Sequence, residues 1–434
     1  VSQALTLRAT LRRAPRWTRI YLPSAGLDGM VETLWLFTLG WEASRAGWAA
    51  GLVLAAGSVP AVAFVLWGGS LADRLGAHRV AIWTMAGRIL VMACWAAVVI
   101  SDTAPAYVAA PVALAVGAIS GIHDPAVSAL PRLLVPQAGL EASTNAQRIL
   151  VRLVQTFGPV LGGALAQLSG MGTVVVVAAA LGLLPLAGFA LLRSGLGRPD
   201  SRPNPAAEHD AAADHDAASD QAGATTGESG WQALLAGFGW IARDPAVRRT
   251  VPLQGVLNLT TASIIMAALP RLARIHGWGP EVFGVASGAF GGGLLAGSLA
   301  AFAIRSALPR RRAAVAVGCG AVSSVFVGLT GLMQDPITVV VAAGLMGLFL
   351  GPVGAILTGW TMAAAAASEP RMFGRVYAVL LLVTTAAEPL GYLIFTGLAT
   401  ATSVAVAAVS FGTVGLVVAL IALSARPVRV SQAG

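Results

Sequence analysis

Of 434 residues, 28 are basic and 19 acidic, a charged share of 11% where a soluble domain carries roughly 25%. With 56% apolar residues and a mean hydropathy of +0.77, there is too little polar surface to cover a water-soluble body, so an ordinary cytosolic enzyme, a disordered chain, collagen and a disulfide-stapled domain are excluded. The net charge of +9 does not indicate nucleic acid: every basic residue is arginine, and these sit at the ends of long apolar runs without interleaved aromatics, as topology determinants of a polytopic membrane protein do.

Residues 1–19 carry Arg8, Arg12, Arg13, Arg16 and Arg19 with no small-residue cleavage site after a short apolar core, and read as a cytoplasmic basic lead. A helix needs roughly 20 apolar residues to cross the bilayer core. Segments 20–42, 46–72, 80–101 and 103–123 supply the first four spans, and 153–192 must fold into two, turning at Gly170–Gly172. Residues 194–230 are rich in Pro, Ala, Gly and Asp and predict a solvated linker, not a packed domain. Its His209, Asp210, Asp214, His215 and Asp216 lack a frame to fix metal geometry, so no metal or cofactor is expected. The following segment, WQALLAGFGWIARDPAVRR, predicts an amphipathic helix at the inner surface. Segments 250–270, 282–304 and 313–334 give spans seven to nine, 336–368 reads as one span plus a loop, and 372–399 is the eleventh. The twelfth fills the end of 389–425 after a turn near Thr400–Ser403, and 426–434 is a tail.

With the N-terminus inside, arginines such as Arg74, Arg79, Arg132, Arg193, Arg305, Arg310–Arg312, Arg371 and Arg375 fall in inner loops, and only Arg45, Arg271 and Arg274 fall outside. The expectation is therefore an all-α integral membrane protein of twelve helices in two six-helix bundles, 20–193 and 231–425, with both termini cytoplasmic. Cys94 and Cys319 lie deep in apolar runs as small buried hydrophobes and form no disulfide framework.

The halves echo each other. GSLA occurs at Gly69–Ala72 and again at Gly297–Ala300, 228 residues on; Pro125 answers Pro352 at 227; Gly158-Pro159 answers Glu388-Pro389 at 230. Three matches at nearly one spacing indicate two repeats in the same orientation, a pattern found among alternating-access transporters.

Charges within a membrane cost roughly 2.5–3.5 kcal/mol each on insertion scales, so each asks for a reason. Asp28 and Glu32 are four residues apart on one face of span one. Two carboxylates so close disfavour double ionisation, which suits a pair that holds and releases a proton, unless an arginine neutralises one of them. Glu388 stands where the first half has Gly158, and Asn258 answers Asp28 at offset 230; both are candidates for coupling or substrate contact. Arg88, Asp124, Arg148 and Arg152 lie nearer the inner ends of their spans. Arg148 and Arg152, four residues apart on one face, are expected to form an inner charge latch with Asp73 and Asp124, or to snorkel to the interface, whereas Arg88 is grouped with the coupling residues as a candidate contact for an anionic substrate. Gly158-Pro159-x-x-Gly162-Gly163 is expected to bend span five and admit a close neighbour. Trp35, Trp83, Trp95 and Trp360 suit an interface belt by default, or a cavity wall.

The loop GSLADRLGAHR, with Gly69, Asp73, Arg74, Gly76 and Arg79, resembles the signature of the major facilitator superfamily between its second and third spans. TFGPVLGGALA in span five is similar to the Gly-Pro motif of that family's antiporters, although Val154 replaces its earlier glycine. GFGWIARDPAVRR and GIHDPAVSALPRLLV further resemble the branch of enterobactin-type and macrolide exporters. The resemblance implies two bundles rocking about a central cavity in a bacterial cytoplasmic membrane. It also implies a monomer in contact with lipid that exports a small amphipathic molecule, drug or siderophore-like, against protons; an importer or a lipid flippase on the same scaffold is the alternative. The degraded second-half loop, where Ala301 and Arg305 follow Gly297 without an acid, departs from the pattern. An enzyme is not expected: no HExxH, GxSxG or phosphate-cradling loop is present. The soluble parts are also too short for a receptor's sensing domain.

Overall fold

The structure, a computed structural model, describes residues 16–101, 108–134, 137–196, 230–244, 247–308, 311–368 and 372–424. Residues 1–15, the tail at 426–434 and the linker from 197 to 229, with its His209–Asp216 cluster, lie outside the described residues. Residues 194–196 of the expected linker instead finish a helix, and Gly230 opens one.

The chain is a succession of helices: α1 (Arg16–Ala43), α2 (Ala50–Leu75), α3 (Ala77–Ser101), α4 (Ala109–Leu134), α5 (Gln137–Ser169) and α6 (Met171–Leu196). A shorter helix, α7 (Gly230–Arg243), precedes α8 (Val247–Ile275), α9 (Pro280–Ala307), α10 (Arg312–Thr330), α11 (Pro336 to Ser368), α12 (Phe373–Ala401) and α13 (Val404–Ser424). Eleven apolar segments are long enough to cross a membrane, and the first, Trp17–Val65, is broken at Gly47, so the crossings number twelve among the described residues. One expectation is corrected: 336–368 is not a span plus a loop. The helix continues to Ser368 through a π turn at Gly354–Thr358, and α8 contains a second π turn at Ile264–Ala268. In hydrocarbon, keeping the helix going leaves no backbone group unsatisfied, whereas a loop would.

Tight reversals place glycine where the backbone takes φ of 59° at Gly47, 88° at Gly76, 83° at Gly170 and 68° at Gly277, a region that side-chain-bearing residues avoid. Helix α7 packs on the start of α12: a Cβ added at Gly237 would stand 2.8 Å from the carbonyl oxygen of Arg375. Trp240 and Ile241 are buried there while Leu235 is exposed, the division expected of a helix lying along a surface. It ends at Asp244, whose carboxylate accepts the Val247 amide at 3.0 Å and opens α8.

Within each half one seam is made of glycine. Gly117 of α4 meets the backbone of Gly57 in α2, and Gly293 and Gly297 of α9 meet Gly344 and Leu348 in α11. Helices without side chains at the contact approach to backbone distance, which is how apolar helices gain dispersion energy in lipid. The halves join along α5 with α9 and α2 with α12. The largest core cluster draws on both halves and gathers near the α1–α2 and α8–α9 turns, with Phe37 stacked 4.8 Å from Phe283. The clusters toward the opposite end, around Tyr21 and Phe189 in one half and Trp240 and Val376 in the other, each stay within their own half. The first end is thus sealed, and the second, which bears the loops around Gly76 and Arg311, is where the halves part. Arg45, Arg271 and Arg274 lie at the sealed end; Arg74, Arg79, Arg305, Arg312 and Arg375 lie at the parted end.

Candidate functional site

Three helices of the first half bring a buried charge network together. Arg88 of α3 is 1% exposed. Its Nη1 donates to Asp28 Oδ1 at 3.1 Å, and its Nη2 reaches Glu32 Oε2 and Ser120 Oγ, each at 3.0 Å. The fork of the guanidinium therefore spans the four-residue interval between the two acids, a geometry that lysine's single ammonium lacks. On the other side of Asp28, Oδ2 lies 3.0 Å from His123 Nε2, and His123 Nδ1 lies 2.7 Å from Thr84 Oγ1. Thr84 has one proton and, besides His123 Nδ1, the carbonyl oxygens of Val80 at 2.6 Å and Ala81 at 3.2 Å in reach.

The second half contributes Glu388 of α12. Asn258 Nδ2 donates to Glu388 Oε1 at 3.3 Å and to Thr384 O at 3.1 Å, while the Tyr392 hydroxyl is 3.5 Å from Oε2. Among the described residues no arginine or histidine pairs with Glu388. Between the halves lies a cavity of about 160 Å³ that has Glu32 in one wall and Glu388 and Tyr392 in the other. Trp35, Leu36, Ser58, Met266 and Thr385 complete much of the lining. It is smaller than the roughly 300–1,000 Å³ of drug-sized sites, so a larger ligand requires the bundles to move.

Of the residues expected at the coupling site, Asp28, Glu32 and Arg88 meet in one cluster and Glu388 and Asn258 in another, and Glu32 and Glu388 face the same cavity. Arg88 is held by the acids of α1, and both of its Nη groups are occupied, so neither is free for an anionic substrate in this conformation. The latch itself is not assembled. Arg152 Nη1 donates to Gln155 at 3.2 Å, and no ion pair joins Asp73 or Asp124 to an arginine among the described residues; the Arg148 side chain lies outside them. The physical reason is that these residues sit at the end where the halves part. Asp124 is exposed there, one turn beyond Ser120 on the same face. In the loop signature, Gly76 carries the φ of 88° that ends α2, but Gly69 has open space around it, and it is Gly68 that faces the backbone of Gly121 and Ile122. Asp73, Arg74 and Arg79 are exposed.

The Gly-Pro motif packs on two sides. Gly158 and Gly162 receive Thr33 and Phe37 of α1, whereas Pro159 and Gly163 face Gly284 of α9. Trp35 and Trp95 are buried and do not form a belt, Trp83 is 66% exposed, and Trp360 packs beside the α7 cluster. Cys94 is exposed on α3 and Cys319 half-buried; both are free thiols.

Sequence reading missed His123, Ser120, Thr84 and Tyr392. It also missed a contact across the sealed end, where Arg274 donates to Ser44 Oγ at 2.6 Å and to Trp41 O at 3.0 Å and lies 4.2 Å over the Trp41 ring. A signal for the first network was available in helix depth. Asp28, Arg88 and His123 each stand eleven or twelve residues from the same end of their helices, about 17 Å at 1.5 Å per residue.

Twelve crossings in two similar halves, around a cavity with an acid from each half, mark a membrane transporter rather than an enzyme. The chain belongs to the Major Facilitator Superfamily, whose model matches residues 20–249. Among solved structures it is similar to a POT family transporter in complex with 5-aminolevulinic acid, at 14% identity over 94% of this chain and 96% of that one, with a TM-score of 0.66. It is likewise similar to the nucleoside transporter NupG, at 15% identity over 94% and 99% of the two chains, with a TM-score of 0.68. At such identities the likeness is one of fold. No curated protein matches the chain.

Proposed function

We propose that the protein is a proton-coupled antiporter that exports a small amphipathic molecule by alternating access. The observation that carries this reading is the cavity with a carboxylate from each bundle, Glu32 and Glu388, in its walls. Rocking the bundles exposes such acids to one side of the membrane and then the other, so a proton taken up in one state is released in the next. The exporter direction is supported by the motifs at 158–163, 121–135 and 237–249, and the arginine-rich parted end fits the cytoplasmic side. Both termini, the linker at 194–230 and the parted face of the cavity then lie in the cytoplasm, and the unit is a monomer of two bundles, 20–193 and 231–425, embedded in lipid. Transport of a peptide-like or nucleoside-like solute is the second reading, favoured by the likeness in fold to a POT family transporter in complex with a thioalcohol conjugated peptide and to the nucleoside transporter NupG.

The test is transport in proteoliposomes with imposed pH gradients of both signs. Movement of a substrate opposite to the proton gradient, lost in Glu388→Gln and weakened in Asp28→Asn while expression persists, is the expected result. Normal gradient-driven transport in both variants would refute the carboxylate mechanism, and movement with the protons would reverse the direction.

A further inference from the structure

The two acid sites are not equivalent in charge. Asp28 and Glu32 both face the guanidinium of Arg88, so the first half has its own cation. Glu388 has none among the described residues: Asn258 and Tyr392 supply neutral hydrogen bonds, and Glu32 across the cavity already pairs with Arg88. The neighbouring helices bring no cation near. Helix α2 contributes Ser58, Gly57 and Ala61, α13 carries no charged residue, and the π turn of α8 contributes Met266. The nearest arginines along α12 and α8 from this level, Arg375 and Arg249 or Arg271, lie nine to thirteen residues away, about 14–20 Å along a helix. A carboxylate taken out of water is stable only when neutralised or paired. Around it stand the two kinds of surface that hold organic cations: the rings of Trp35 and Tyr392, and the apolar side chains of Leu36, Leu39, Leu54 and Met266.

We infer that Glu388 is a cation-exchange site, where an organic cation with an apolar body and a proton take turns on one carboxylate. The inference rests on the transport reading and narrows its substrate to the cationic class, excluding carboxylate-bearing and neutral molecules as preferred ligands. Its balance is simple: the cation binds as the carboxylic acid gives up its proton to solvent, and no covalent bond other than O–H changes.

The experiment uses the full chain purified in detergent and three probes of similar size: benzyltrimethylammonium, which has no proton to lose, neutral N-benzylacetamide, and anionic phenylacetate. Calorimetric titration in buffers of different ionisation enthalpy gives affinity and proton release together. The cation is expected to bind about tenfold or more tighter than either comparator and to release close to one proton. In Glu388→Gln, checked for unchanged thermal unfolding, both the preference and the release disappear; the wild-type proton count stands even if that variant fails to fold. Equal affinity for the three probes, cation binding without proton release, or no binding of the cation would overturn the inference. Cation binding without gradient-driven movement in proteoliposomes would instead sink the antiport reading alone. Gradient-driven movement of neutral molecules only would sink the cation class and leave antiport standing.

Discussion

Gly284→Ala tests whether the α5–α9 seam governs which end of the transporter is closed. A Cβ at position 284 would stand 2.9 Å from Gly163 Cα and 3.1 Å from Gly163 N, and closer still to the carbonyl oxygen of Pro159. All three are backbone atoms, so no change of rotamer relieves the clash, and carbon contacts settle at about 3.5–4.0 Å. The helices must therefore part by the better part of 1 Å at the sealed end. Overpacking of this kind costs about 1–3 kcal/mol, and because it bears on the sealed state and not on either bundle's interior, it should appear as a shift of about 5- to 150-fold toward the state open at this end. Spin labels at Leu168 of α5 and Ile275 of α8, both exposed and in a background without Cys94 and Cys319, would report the shift as a longer distance population. Gly163→Ala, where the nearest atoms are at 3.0–3.1 Å, should move the same populations less. An unchanged distance distribution in Gly284→Ala with normal thermal stability would refute the argument.

Arg88→Met leaves Asp28 and Glu32 buried without their guanidinium, and breaking a buried pair in this way costs about 3–5 kcal/mol; thermal unfolding in detergent should fall clearly, and Arg88→Lys should recover only part of it. A melting temperature equal to wild type would show that the network is not structural. Arg274→Ala removes hydrogen bonds to Ser44 and Trp41; charge-assisted bonds contribute about 1.5–3 kcal/mol, so the same spin-label pair should shift toward the open population by tenfold or more, and no shift would remove the outer latch from consideration.

The spans were legible because hydrocarbon imposes a length on apolar runs, and the turn at Gly170 because glycine alone tolerates its backbone angle. The pairing of Asp28 with Glu32 was legible because both lie on one helix. Arg88 and His123 were harder, since local spacing says nothing of which helix packs beside which; depth along each helix would have aligned them. The contact of Arg274 with Trp41 joins residues 233 apart, so no local pattern carries it. Nor could the latch around Asp73 have been separated from snorkelling by sequence, because its partners meet or part with the position of the bundles.

The π turns at Ile264–Ala268 and Gly354–Thr358 give the duplication a history. A π turn holds one residue more than the α-helical turn it replaces, and everything downstream is rotated by about 100°. The second follows Pro352, where the offset between halves is 227, and precedes Glu388, where it has grown to 230. The residue that this π turn adds covers one of the three positions by which the offset grows, and neither π turn has a counterpart in the first half among the described residues. The halves have thereby ceased to be interchangeable parts. A chain made of two copies of the first half would restore the glycine seams and the turns, yet place Gly158's counterpart where Glu388 stands, and its cavity would have no acid in the second wall.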